Sequence, residues 1–326
     1  MKKVTIGLLG VIVALAGVWF SPHLTHDHEL CTGMFPDWDA TRSIEDQKFT
    51  RAGLDEDTFN AVLDKFEAIY EPMLKEDGIT LNLKRLWSDD TINASAQRGG
   101  EKEYIINMYG GLARHESITP DGFMVVACHE VGHHIGGAPK VKSIFGANAW
   151  ASNEGQSDYY AGLHCFRKVF TPEENLEWAT ENEELLAEHP LVMEKCSAVY
   201  ESDEEQALCA RTAMAGFSVT SLFAVEKEQD LPAFDTPDEN TVNKTDSSHP
   251  AYQCRLDTYF ASGLCTIGDS GELDGTDPKV GTCTRDAEFE EGIRPLCWFQ
   301  PNEATGGGGD GGFDICDIFP LPGLCD

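Results

Sequence analysis

Apolar residues recur at three- and four-residue intervals between residues 55 and 77: Phe59, Val62, Leu63, Phe66, Ile69, Tyr70, Met73 and Leu74. That spacing lines one face of a helix, so it predicts an amphipathic helix, kinked or interrupted at Pro72 and stopped by Gly78. The period then drops to two. ITLNLKRLW (79–87) alternates Ile79, Leu81 and Leu83 with polar neighbours, and EYIINMY (103–109) is apolar and β-prone, so both read as strands of a small sheet. Thr119 and Pro120 give a cap and first-turn signal ahead of DGFMVVACHEVGHHIGG, and Gly136 and Gly137 end that helix. From Ser152 to about Gln229 the chain reads as helix in several pieces, broken near Thr171-Pro172, Pro190 and Ser202-Asp203. Residues 230–250 are acidic, contain proline and are poor in apolar residues, which predicts a surface loop, and a further helix follows from His249. After Gly268 the pattern is irregular, and ATGGGGDGGFD has the composition of a flexible linker.

Charge narrows the choice of partners. Fifty-six Asp and Glu against 24 Lys and Arg give a net charge of -32, which repels phosphate backbones and anionic membranes. Nucleic acid is therefore excluded as a partner. At the N-terminus, Lys2 and Lys3 precede an apolar run from Ile6 to Phe20, the layout of a secretory signal over residues 1–25. Cleavage after Ala16 fits the small-residue rule; an uncleaved N-terminal anchor is the alternative and would be the chain's one route to a membrane. Either way the rest of the chain is expected outside the cytosol, in a periplasmic or extracellular setting. Eleven cysteines agree with such an oxidising compartment. None forms a CxxC pair, and the odd number leaves one free or paired between chains. Cys128, on an apolar helix, is the candidate for the free thiol, with Cys165 as its partner if it has one. Cys254 and Cys265 on one helix would lie about three turns apart, beyond the ~7 Å reach of a bridge, and so need different partners.

Candidate chemistry sits in ACHEVGHHIGG, residues 127–137. On a helix, His129 and His133 project from one face and can share a metal ion, with Glu130 beside the open coordination position. His134 points about 100° away from His133 and is left out of the metal shell. A third ligand should come from another element, and SNEGQSDYYAG (152–162) supplies it. Behind a Ser152 or Asn153 cap, Glu154 and Asp158 share a helical face: Glu154 can ligate the ion while Asp158 accepts a proton from the far nitrogen of a ligating histidine. Two carboxylates four apart on an acidic chain are ordinarily only solvated. Here they follow the histidine pair by 21 residues, from His133 to Glu154.

HEVGH followed by NEGQSD resembles the arrangement of the gluzincin metallopeptidases. INASAQRGGEKEYIINMYGGLAR (92–114) and SSHPAYQCRL (247–256) are similar to the strand region and the His-Pro to Arg motif of peptidase family M48, the CaaX prenyl protease and HtpX relatives. The resemblance spans roughly residues 59–260. It implies an α+β fold, a predominantly helical zincin-type core over residues 45–265 with a small β-sheet. A cysteine-rich, glycine-rich irregular extension, 266–326, has no counterpart in that family. The short interval from His133 to Glu154 and the lack of several membrane spans also depart from many of its members.

The implied function is a zinc-dependent endopeptidase acting on a peptide or protein. One Zn²⁺ held by His129, His133 and Glu154 lowers the pKa of its water to about 7, and Glu130 shuttles the proton. By resemblance, substrate adds as a strand near Asn93 and Ala94, and His249 or Arg255 helps the oxyanion or braces the site. Two other readings share the same residues: a zinc-binding structural or adhesive protein whose catalysis has decayed, and a zinc amidohydrolase on a non-peptide amide.

Overall fold

A computed structural model describes residue 34 and residues 53–142, 148–268 and 271–301, so the expected signal segment, residues 302–326 and Cys31, Cys316 and Cys325 lie outside the described residues. The fold is α+β, with about half of the described residues in helices, and the four disulfides among those residues are compatible with an oxidising, exported environment.

Helix α1 (Glu56–Glu76) starts where the Asp55 side chain accepts from the Thr58 N–H, and it buries Phe59, Leu63, Phe66, Tyr70 and Leu74, the face its periodicity predicts. It runs on through Pro72 without the interruption expected there. Pro72 and Ala68, the residue whose carbonyl loses its donor, are both on the exposed face, where water can replace the bond. Strands β1 (Thr80–Leu86), β2 (Ala94–Gly100) and β3 (Glu103–Tyr109) form a sheet in the order β1-β3-β2, with β1 parallel and β2 antiparallel to β3. A short helix, α2 (Gly110–Arg114), leads into α3 (Pro120–Ile135).

Helix α3 is the centre of the molecule, with almost every residue from Asp121 to His134 buried. Its polar residues are therefore inside the fold, not on a solvated face. The Thr119 side chain caps it, accepting from the Gly122 N–H, and Asp121 near its N-terminus makes a two-pronged ion pair with Arg211. A ribbon, β4 (Lys140–Lys142) with β5 (Asn148–Ser152), precedes α4 (Glu154–Tyr160), which continues through a π-helical turn (Ala161–Cys165) into α5 (Phe166–Val169). Gly132 lets α4 cross close to α3: a Cβ there would stand 3.0 Å from the Tyr160 ring and 3.1 Å from the Ser157 carbonyl oxygen.

The remaining helices break where the prolines and caps predict: α6 (Pro172–Glu181), α7 (Glu183–Glu188), α8 (Pro190–Val199) and α9 (Asp203–Glu226). Helix α9 is long and apolar enough to cross a membrane by length and composition, yet 89% of its apolar window is buried inside this fold. Helix α10 (Tyr252–Leu264) follows the 230–250 loop and is preceded, not capped, by His249; its N-cap is Ala251.

Cys128 is bonded to Cys165, which corrects the expectation of a free thiol: α3 and the π-helical turn bring their Cα atoms to 5.6 Å. Cys254 and Cys265 take different partners, Cys297 and Cys283, while Cys196–Cys209 ties α8 to α9. Residues 271–301 are largely irregular, as their sequence predicts, but they pack directly onto α4 and α10. Fully buried Trp298 donates its indole N–H to Thr258 and lies over Gly155, where a Cβ would come within 2.2 Å of the ring.

Gly155→Ala should therefore lower the unfolding free energy by about 1–3 kcal/mol through overpacking, measured by urea titration. Gly275→Ala, which meets open space, should change it by no more than about 0.5 kcal/mol. Equal effects of the two would remove the contact between Trp298 and α4 as an energetic one.

Candidate metal centre

His129, Glu130 and His133 are all fully buried on α3, one helical turn separating the two histidines. Their rings are held from behind. The Nδ1 of His129 lies 2.7 Å from Asp158 Oδ1, and the Nδ1 of His133 lies 2.8 Å from the Ser152 carbonyl oxygen and 3.0 Å from Ser157 Oγ. An ionised carboxylate and a carbonyl can only accept, so both Nδ1 atoms carry the proton in the neutral rings and both Nε2 atoms present lone pairs. Those two Nε2 atoms face each other at 3.0 Å. Glu154, the first residue of α4, brings its carboxylate to 3.3 Å from His129 Nε2 and 3.6 Å from His133 Nε2. Three electron-rich groups thus converge with their donors turned outward, an arrangement that repels itself unless a cation or a proton sits among them.

His129, His133 and Glu154 could hold a metal ion: their ligand atoms all lie within 4.8 Å of one another. Two imidazoles and a carboxylate form a donor set that suits zinc. Burial pushes the His129 ring down, but Asp158 and Glu154 outweigh it and bring it up to about 9, while burial leads in taking His133 down to about 4. Burial alone would raise Glu154; His249 and His133 reverse this and hold its carboxyl well below the usual range. Burial pushes Glu130, against the pull of His129, up to about 8, and neither of its oxygens has a hydrogen-bond partner. A buried carboxyl without partners is costly, and this one stands beside the candidate metal cluster. Another grouping, Asp238 with Cys254 and Cys297, offers no thiolate, because its two sulfurs are bonded to each other.

Asp158 ties the centre to the third helix. Its carboxylate receives Arg255 Nε at 2.8 Å and Nη2 at 2.7 Å, and the Tyr259 hydroxyl, besides His129. Burial pushes this carboxyl up, but Arg255 and His129 outweigh it and hold it below its ordinary value of 3.8. Arg255 is thereby engaged behind the histidines; its remaining Nη1 meets the Met34 carbonyl oxygen at 3.1 Å. His249 stands at the front, its Nε2 3.5 Å from Glu154 Oε1. His134 lies outside the cluster, stacked between Tyr104 and Trp150. Asn93 and Ala94 are buried at the start of β2, an edge of the sheet. At this edge, where a substrate strand is expected near Asn93 and Ala94, the Ala94 carbonyl accepts from the buried Met34 N–H at 3.0 Å.

Sequence reasoning missed Ser152 as a partner of His133, Ser157 and Tyr259. A backbone carbonyl has no residue signature, and a tyrosine on a helix face reads as core. No family model matches the chain, and neither a curated protein nor a solved structure matches it.

Because Asp158 is held ionised, its stabilising effect is complete above its unfolded value of 3.8 and is lost as pH falls toward the lower folded value. Asp158→Asn leaves Arg255 buried without its counter-charge, so it should cost about 3–5 kcal/mol near neutral pH. In chemical denaturation the gap between wild type and variant should shrink as pH drops below that value. A gap that stays constant from pH 7 to 3 would mean that Asp158 is not the ionised partner.

Proposed function

We propose that the chain is a zinc-dependent endopeptidase of the gluzincin kind, related in its motifs to peptidase family M48, and that it works outside the cytosol. The observation that carries this reading is the meeting of the His129 and His133 Nε2 atoms with the Glu154 carboxylate beside a buried, partnerless Glu130. The decayed-catalysis reading gives no reason to keep Glu130 in that position, where burying a bare carboxyl is costly.

His129, His133 and Glu154 hold the ion, which when bound supplies acidified water and a polarised scissile carbonyl. The residues of the chain do the rest. Asp158 and Ser152 fix the two imidazoles in the tautomer that presents Nε2 inward. Glu130 takes the proton from the attacking water and returns it to the departing amine. His249 donates toward the oxygen that becomes charged in the tetrahedral intermediate. Arg255 braces Asp158. Substrate backbone pairs along β2 near Asn93 and Ala94, where it takes the place of Met34.

Metal analysis joined to digestion of an unbiased peptide library tests the proposal. Wild type should carry about one zinc and cleave peptides; Glu130→Gln should keep the zinc and lose about 10²–10⁴ in turnover. Glu154→Ala should lose the zinc itself. His249→Ala should keep it and lower kcat by about 10²–10³. Unchanged cleavage by Glu130→Gln would reject the mechanism, and equal zinc in Glu154→Ala would reject the ligand set.

A further inference from the structure

A cavity of about 1640 Å³ lies between the β4–β5 ribbon, residues 241–248 and residues 276–301. Its lining is at odds with the composition of the chain. Of the 24 Lys and Arg in the chain, Lys140, Lys142, Lys244, Lys279, Arg285 and Arg294 line it; of the 56 Asp and Glu, Asp246, Asp277 and Asp286 do. A quarter of the cations thus meet about a twentieth of the anions. Lys279 is ion-paired to Asp286. Lys140, Lys142 and Arg294 are held instead by neutral oxygens: those of Ser152, of Asn148, and of Gln156, Thr282 and Pro278. Arg294 is 1% exposed and its Nε has no partner. Gathering six cations with only three anions in one recess leaves an excess of positive charge that is unfavourable in itself, and an anionic ligand relieves it. Burial lowers Lys140 to about 8, and it lowers Arg294 to about 10 against the pull of Tyr159 and Asp277.

The cavity is wired to the metal centre. Lys140 Nζ reaches Ser152 Oγ at 3.2 Å, and the carbonyl of that same Ser152 orients His133. The Asp246 carbonyl receives Asn153 Nδ2 at 2.7 Å, and Asn153 caps the helix that begins with Glu154. From Asp246 the lining runs through Ser247 to Ser248, and the next residue along the chain, His249, stands beside Glu154. Its volume exceeds the ~300–1,000 Å³ of an ordinary small-molecule pocket and suits a stretch of polypeptide.

We propose that this cavity binds an acidic peptide segment and that, resting on the peptidase reading, it selects substrates carrying Asp or Glu on one side of the scissile bond. Surface repulsion would keep acidic chains away everywhere else on this molecule.

Binding and cleavage are measured separately. A fluorescein-labelled hexaglutamate peptide should bind full-length Glu130→Gln in anisotropy titrations, hexaglutamine should not, and rising salt should weaken the complex. Lys142→Glu, Lys244→Glu and Lys279→Glu together should reduce affinity by about tenfold, the sum expected for three solvent-facing charges. The milder Lys→Gln versions should reduce it less, and Lys84→Glu on β1 should leave it unchanged. In digests by wild type, Glu-containing peptides should outcompete Gln-containing ones, a preference the triple variant loses. No hexaglutamate binding, or equal loss with Lys84→Glu, would overturn the cavity assignment even if peptides are cleaved. Specific binding without cleavage of any peptide would uphold the cavity and reject the peptidase.

Discussion

Asp158 is the point on which the rest of the structure hangs. Its charged carboxylate is wholly removed from water, at a cost of several kcal/mol that only well-aimed donors can offset. Those donors come from two other helices: His129 from α3, Arg255 and Tyr259 from α10. Hydrogen bonds to a buried charge tolerate little change in length or angle, so three helices are set against one another with the precision of a bond. The same contact decides which nitrogen of His129 faces Glu154. Packing and chemistry are here one constraint.

Much of this could be read in the sequence where a side-chain pattern carries the information. The period of 3.6 in α1, the Thr119-Pro120 start and double-glycine end of α3, and the proline breaks from α6 to α8 are each local signals, and the structure follows them. Strand β2 escaped because ASAQRGG has no apolar alternation; it is strand only because β3 pairs with it. The β4–β5 ribbon is short and polar and escaped for the same reason. Within the site, His129, His133, Glu154 and Asp158 were legible because four-residue spacing on a helix fixes a shared face. His249 and Arg255 stood out only through resemblance to a family, since nothing in their own neighbourhood announces that they return to α3.

The acidic surface and the cysteine-rich segment also belong together. Chains with this excess of negative charge repel themselves when compact. Two of the four disulfides, Cys254–Cys297 and Cys265–Cys283, anchor residues 271–301 to α10, and Trp298 and Arg294 then fill the space beside α4. This segment has too few apolar residues to form a core alone. Its order comes from covalent links and from a surface that α4 and α10 provide.

Cys128–Cys165 has a different consequence. The ring it closes, a span of 37 residues, contains His129, Glu130, His133, Glu154 and Asp158. Even in the denatured chain these groups are confined to one small loop, so the entropy of bringing the three would-be ligands together is partly spent before folding begins. Their effective concentration around one another is that of a tethered chelate, not of a long open polymer. An oxidised, unfolded chain thus retains some capacity to gather a metal ion, and reduction abolishes that head start while leaving every ligand in the sequence unchanged.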